Sequence, residues 1–162
     1  MSAIRITGVA VLFTGLLIGP ATLASAGAQV TRGDFAPLDI PDYPVSGHAT
    51  MVRTGSGETK VSVEVSGLEP GATYASHVHN RACSDMRGGG HYMNDTAGPA
   101  TPPNELWLSS DPKNPSAGLS ANPAGNANGH GTAPWTARPE ARSVVIHQTG
   151  NPAVRIACAD LS

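Results

Sequence analysis

Three of the six histidines and one of the two cysteines fall between Ser76 and His91. Imidazole and thiolate are the side chains that most readily hold soft or borderline transition metals near neutral pH. In Ser76-His77-Val78-His79 the imidazoles are two residues apart, so on an extended strand both project from one face with Val78 behind them. Such a pair is half of a metal site. His91 follows Gly88-Gly89-Gly90, glycines that can take backbone conformations closed to other residues and turn the chain back towards the pair. A fourth candidate, His147, ends the apolar run Val144-Val145-Ile146.

Bringing ligands together from such distant points requires a strand framework, and the patterning predicts one. Val61, Val63 and Val65 alternate with Ser62, Glu64 and Ser66, one buried face and one wet face. Val45 to Arg53 reads as the partner strand, joined to Lys60 to Ser66 through Thr54-Gly55-Ser56-Gly57 as a hairpin. The Pro70-Gly71 pair marks a turn that feeds the His77 strand. Further short strands are expected at Leu106 to Leu108, Gly131 to Thr136 around Trp135, Ser143 to His147 and Ala153 to Cys158. The stretches Met93 to Asn104 and Ser109 to Asn128, rich in Pro, Asn and Gly, read as loops. With no helical period longer than a turn, seven to eight short strands and long loops predict an all-β antiparallel sandwich or flattened barrel.

The N-terminus reads as a secretory leader: Arg5, an apolar core from Gly8 to Ile18 too short to span a bilayer, and Ala24-Ser25-Ala26 as a cleavage site. Residues 1–26 are thus expected to be a signal peptide, 27–44 a flexible lead-in with three prolines, and 45–162 the folded domain. That organisation predicts a secreted or cell-envelope protein with no transmembrane domain once the leader is removed. The formal net charge is -2 and neither sign runs in a block, which argues against nucleic acid and anionic membrane surfaces as partners. The sequence carries no signal for an oligomeric state. No internal repeat, phosphate-binding glycine motif or nucleophile elbow occurs.

Two cysteines in an exported chain most simply pair with each other, the alternative being two free thiols. A Cys83–Cys158 bond would tie the histidine loop to the last strand, and loop-closure entropy caps its contribution at ~4 to 5 kcal/mol.

The order Gly67-Leu68-Glu69-Pro70-Gly71, His77-Val78-His79, Cys83, Gly90-His91, Val144-Val145-Ile146-His147 and Gly150-Asn151-Pro152-Ala153-Val154-Arg155-Ile156-Ala157-Cys158 resembles the copper/zinc superoxide dismutases over about Val45 to Ala159. The resemblance implies a Greek-key β-barrel with the metal outside it under two loops. It implies that His77, His79 and His147 are copper ligands and that His91 is the histidine that bridges the two metals in two-metal members. Arg155 then corresponds to the arginine that draws superoxide to copper, and Cys83 and Cys158 to the family's disulfide. The implied activity is conversion of superoxide to oxygen and hydrogen peroxide by Cu(II)/Cu(I) cycling.

Two departures narrow that expectation. No histidine lies between His91 and His130, so the family's zinc set is missing, and only seven residues separate His147 from Arg155, where the family usually has a long charged loop. Both features resemble the copper-only branch, with one copper per chain and zinc disfavoured. In that branch a glutamate stands near the bridging histidine in place of zinc, and Glu105 is the candidate here. The expected catalytic set is therefore Arg155, His91 and Glu105. A non-catalytic copper-buffering protein on the same fold is the alternative, with a metal-free structural or adhesive sandwich behind it. A weak zinc site from His91, Asp95 and Asp111 is a lesser possibility. His48 and His130 read as surface, edge or turn residues, Trp107 and Trp135 as core or loop-covering aromatics, and Met51, Met86 and Met93 as packing or loop residues.

Overall fold

The valine alternation that marks the hairpin in the sequence also sets the inner face of the first sheet. In a computed structural model, which describes residues 27–162, strand β4 (Thr59–Ser66) buries Thr59, Val61, Val63 and Val65 and turns Lys60 and Glu64 out. Its partner β3 (Ser46–Arg53) pairs antiparallel with it, Ala49 opposite Val63 and Met51 opposite Val61. The connecting turn closes with Thr54 accepting from Gly57 N–H at 3.1 Å, and Gly57 takes φ +92°, a left-handed value that disfavours side chains. Thr59 Oγ1 bonds to Trp135 O at 2.8 Å and accepts from Ala137 N–H at 2.7 Å, satisfying the one polar group on this buried face.

Strand β1 (Gln29–Asp34) extends this sheet, paired with β3 from Gln29 opposite Arg53 to Asp34 opposite His48. The two-residue β2 (Ala36–Pro37) then joins the other sheet. The lead-in expected to be flexible over 27–44 is therefore built into both sheets. The sequence shows no strand signal there because β1 is an edge strand held by backbone hydrogen bonds, and of its neighbourhood only Phe35 is buried in the core, so no apolar alternation is needed. The signal-peptide reading of residues 1–26 lies outside the described residues.

After the short β5 (Thr73–Tyr74) the chain enters β6 (Ser76–His79), and β5 pairs with another two-residue strand, β7 (Leu119–Ser120). The first sheet ends with β8 (Ala127–Ala133), and its order is β1-β3-β4-β8. This strand begins and ends earlier than the 131–136 expected, leaving Trp135 beyond it. Its inward positions are Ala127, Gly129, Gly131 and Ala133, small because other chain presses on them: a Cβ on Gly131 would lie 2.5 Å from Trp107 O. An apolar pattern is absent there for a steric reason.

The second sheet runs β2-β10-β9-β6, with β9 (Ser143–Gln148) between β6 and β10 (Asn151–Asp160). Leu106 to Leu108, expected as a strand, is instead a bridging segment between the sheets. Val78 N–H donates to Leu106 O and Leu108 N–H to Ser76 O, both at 2.9 Å, while Ser109 and His130 exchange backbone bonds on the far side at 3.1 and 2.9 Å. On the opposite seam Arg32 N–H reaches Ser162 O at 3.3 Å. Between the sheets lie Val61, Val63, Val78, Leu106, Leu108, Val144, Ile146 and Ile156, each of which contributes roughly 1.5 to 3 kcal/mol on full burial. The protein is all-β and antiparallel, and among the described residues no helix is long and apolar enough to cross a membrane.

Candidate metal centre

Val78 and, on the neighbouring strand, Val144 and Ile146 point into the core, so His77, His79, Val145 and His147 share the opposite, outer face of the second sheet. That face is covered by the loop from Asn80 to Gly90. Cys83 is bonded to Cys158 on β10, with Cα atoms 5.8 Å apart, which clamps the loop over the face. Gly88, at φ +90°, lies so close that a Cβ would sit 3.0 Å from Val145 Cγ2 and 3.2 Å from Ser143 Oγ.

His91 returns to the same face by strand-like pairing. Asn80 N–H donates to Gly90 O at 3.0 Å and Tyr92 N–H to Val78 O at 2.8 Å, so His91 bridges opposite His79. The following excursion closes on itself through the bridge between Met93 and Glu105, which delivers Glu105 and Trp107 next to His91 and His77. His77 packs between tilted neighbours, its ring centroid 4.1 Å from His91 and 4.7 Å from Trp107.

One ligand nitrogen from each of His77, His79, His91 and His147 lies within 4.8 Å of all the others. Four nitrogens at ordinary coordination distance, about 2 Å from a common ion, must lie no more than about 4 Å apart, so small side-chain adjustments suffice. Three of the four rings have a partner for their outward nitrogen. His79 Nδ1 lies 3.3 Å from Gly89 O, His147 Nδ1 2.6 Å from Pro152 O and His91 Nδ1 3.1 Å from Glu105 Oε2. Each partner is an acceptor, so each Nδ1 carries the proton and each Nε2 presents a lone pair inward.

Two observations test whether a metal suits this donor set. Nε2 of His79 and Nε2 of His147 face each other at 3.4 Å, two lone pairs with no proton to share once both Nδ1 are protonated. His77 Nδ1 is buried with no hydrogen-bond partner. Unpaired buried nitrogens are costly unless something outside the protein fills the gap. Three Nε2 lone pairs and a nitrogen of His77 therefore gather within 4.8 Å of one another, an arrangement that a cation would satisfy.

Burial, and then the neighbouring imidazoles, push the His77 pKa down to about 2 and that of His79 down to about 3. Burial also lowers His147, partly offset by its bond to Pro152 O. These rings are neutral bases at physiological pH, the form that binds metal.

Glu105 is 3% exposed, and its Oε2 also accepts the indole N–H of Trp107 at 2.6 Å. The carboxylate is thereby fixed between the ring it orients and a second donor. Glu105 and Trp107, two residues apart, share a face; that spacing was a usable signal for the indole's role, which a reading of Trp107 as mere packing misses.

Arg155 lies opposite His147 in the β9–β10 ladder, immediately after an irregularity that begins at Asn151. The seven residues between His147 and Arg155 thus form a tight connection and bulge. Its Nη1 donates to the carbonyls of Met86, at 3.4 Å, and Arg87. Asp39 and Arg87 also belong to this neighbourhood, and no local pattern marks either in the sequence.

Asp95 and Asp111 do not join His91. Each carboxylate instead accepts the backbone N–H two residues on, Ala97 and Lys113, at 2.9 Å. Among the described residues the four histidines are the one cluster of three or more such side chains able to hold a metal ion. His48 and His130 stand on the outer face of the first sheet, opposite Glu64 and Ser62, and Met51 is in the core while Met86 is exposed.

Compared with known proteins, the sequence matches no family model and no curated relative.

Proposed function

We propose that the protein is an exported, copper-dependent superoxide dismutase of the copper-only kind. The observation that carries this reading is the convergence of four imidazole lone pairs in which the bridging-type histidine, His91, is braced by a buried carboxylate at its outward nitrogen. Imidazole donors suit copper in both oxidation states, and no carboxylate oxygen enters the inner set, which disfavours a hard cation. Copper held there supplies the redox step by which one superoxide is oxidised to oxygen and a second, with two protons, is reduced to hydrogen peroxide.

The chain's own residues bind, orient and guard. His77, His79, His91 and His147 would hold the ion. The carbonyls of Gly89 and Pro152 keep the protons of His79 and His147 on the outward nitrogens, so neither ring can turn its N–H inward. Glu105 does the same for His91 with a full negative charge, which raises the basicity of that ring. The Arg155 guanidinium, permanently charged and fixed by two carbonyls, favours a small anion beside the ion. The disulfide supports placement in an oxidising compartment outside the cytoplasm.

The test is elemental analysis of the mature protein after exposure to copper and zinc, followed on the same sample by a superoxide-consumption assay. About one copper per chain, no zinc, and activity that His147→Ala abolishes is the expected result. Stoichiometric copper with no turnover in the wild type replaces the reading with copper buffering, and no copper at all overturns both.

A further inference from the structure

Asp39, just past β2, is clasped to the arginine beside the histidines. Its backbone N–H donates to Arg155 O at 2.9 Å, and its Oδ2 accepts Arg155 N–H at 2.7 Å. Its other oxygen, Oδ1, lies 3.2 Å from Nε of Arg87. Arg87 completes the ring, its carbonyl accepting from Nη1 of Arg155. The Asp39 side chain is 16% exposed and that of Arg87 57%, so an inner carboxylate anchors an outer guanidinium that reaches solvent.

The backbone that places Arg87 is strained. Met86 and Arg87 take φ of 50° and 57°, a left-handed conformation in two consecutive residues with side chains, and Gly88 follows at φ 90°. Non-glycine residues hold such values only where surrounding structure over-determines them, and such strain clusters at functional sites. A partly exposed ion pair stabilises a fold too little to be the reason for this arrangement. Two residues on, Gly89 O holds His79, so the same turn sets a ligand and a cation.

Charge supplies the second strand of the argument. The segment Gln148-Thr149-Gly150-Asn151-Pro152-Ala153-Val154 carries no charged side chain, so it cannot attract an anion over distance. Arg155 stands opposite His147 in the β9–β10 ladder and its Nη1 rests on the carbonyls of Met86 and Arg87, so the turn that carries the Arg87 guanidinium is joined through Arg155 to the histidine face.

We propose that Arg87 is a second guanidinium that draws a small anion to the histidine centre, and that Asp39 is the positioning residue holding Arg87 and Arg155 beside it. The identity of the anion as superoxide rests on the dismutase reading; the anion site itself does not.

The test is an azide titration of the Cu(II)-loaded protein, followed by its charge-transfer absorption at low and high salt, in the wild type, Arg87→Gln and Asp39→Asn. Copper content and the copper absorption band are checked for each. Arg87→Gln is expected to weaken azide about three- to tenfold at low salt. Near 1 M salt, where the Debye length is about 3 Å, that gap should close. Asp39→Asn gives a test of sign. Removing a negative charge by itself would tighten azide binding, whereas loss of the anchor for Arg87 should weaken it at least twofold. Hydrogen exchange on the metal-free protein provides a second readout: the Arg155 amide should stay protected in Asp39→Asn, whose amide oxygen still accepts, and exchange faster in Asp39→Ala. Wild-type azide affinity in Arg87→Gln, or tighter binding in Asp39→Asn, overturns the proposal, as does a copper-loaded wild type that binds no azide. Failure of the dismutase reading shows separately, as a wild type that binds copper and azide yet consumes no superoxide.

Discussion

Glu105 Oε2 lies 3.1 Å from Nδ1 of His91 and 2.6 Å from the indole nitrogen of Trp107, so one buried carboxylate oxygen takes both donors. The ring so held is also the most exposed of the four, with 34% of its side chain open against 3% for the carboxylate. The least enclosed ligand is therefore the one with a charged brace. Its orientation depends on that hydrogen bond more than on packing, whereas His79 is enclosed on all sides and needs only a carbonyl.

Glu105→Gln tests the charge apart from the geometry, because a glutamine oxygen can still accept from both donors. The variant should keep about one copper per chain and lose roughly tenfold in superoxide consumption, the lower end of what outer partners of metal-bound histidines contribute. Unchanged turnover at full copper loading would count against a role for the carboxylate. Glu105→Ala, which leaves two buried N–H groups unpaired, should weaken copper binding as well, by about 10- to 100-fold in a competition titration.

The depressed histidine pKa values predict how the metal-free protein responds to acid. The unfolded chain binds protons at His77 and His79 below the ordinary histidine value of about 6.5, whereas the folded chain holds His77 neutral down to about 2 and His79 down to about 3. Stability is therefore fully present above pH 6.5 and falls as the pH drops below it. Each ring adds a slope of at most about 1.4 kcal/mol per pH unit. Urea denaturation of the metal-free protein at pH 7, 6 and 5 should show falling midpoints. Copper-loaded protein should be more stable at each pH, since the ion occupies the lone pairs that protons would take. A metal-free protein equally stable from pH 7 to 5 would contradict the buried, neutral state of these rings.

The centre was legible in the sequence where spacing dictates geometry. His77 and His79 alternate with a core valine, His147 follows Val144 and Ile146 on the outer face of its own strand, and the two cysteines had each other to pair with. The framework was legible only where side chains carry the pairing. Strand β4 announces itself by alternating valines, whereas β8 points alanine and glycine inward because the bridging segment and Leu119 crowd it. Strand β1 is held by its backbone and shows no pattern at all. Asp39 lies 116 residues from the Arg155 it clasps, a relationship that exists only once both sheets have formed.

Reduction of the disulfide should disturb the centre before it unfolds the protein. The Cys83–Cys158 bond clamps the loop whose Gly89 carbonyl orients His79 and whose Met86 and Arg87 carbonyls hold Arg155. Closing a loop over a sequence separation of 75 contributes up to ~4 to 5 kcal/mol through the unfolded state. The paired variant Cys83→Ser with Cys158→Ser should lower the denaturation midpoint and weaken azide binding to the copper-loaded protein. A midpoint that falls while azide affinity stays at the wild-type value would show that the bond stabilises the fold without positioning Arg155.

The two glycines of β8 separate a rigid obstacle from a yielding one. A Cβ on Gly131 meets the backbone carbonyl of Trp107 at 2.5 Å, while a Cβ on Gly129 meets first the end of the Leu119 side chain. Leu119 can change rotamer, but Trp107 O belongs to the segment that joins the sheets and carries Glu105. Gly131→Ala should therefore destabilise by about 1 to 3 kcal/mol, the range for overpacking a well-filled site, and Gly129→Ala by less. Gly131→Ala should also shift the Trp107 indole away from Glu105, seen as a change in tryptophan fluorescence that Gly129→Ala does not share. Equal losses of stability in the two variants, with unchanged fluorescence in both, would mean that the bridging segment moves as freely as a leucine side chain and does not hold the carboxylate in place.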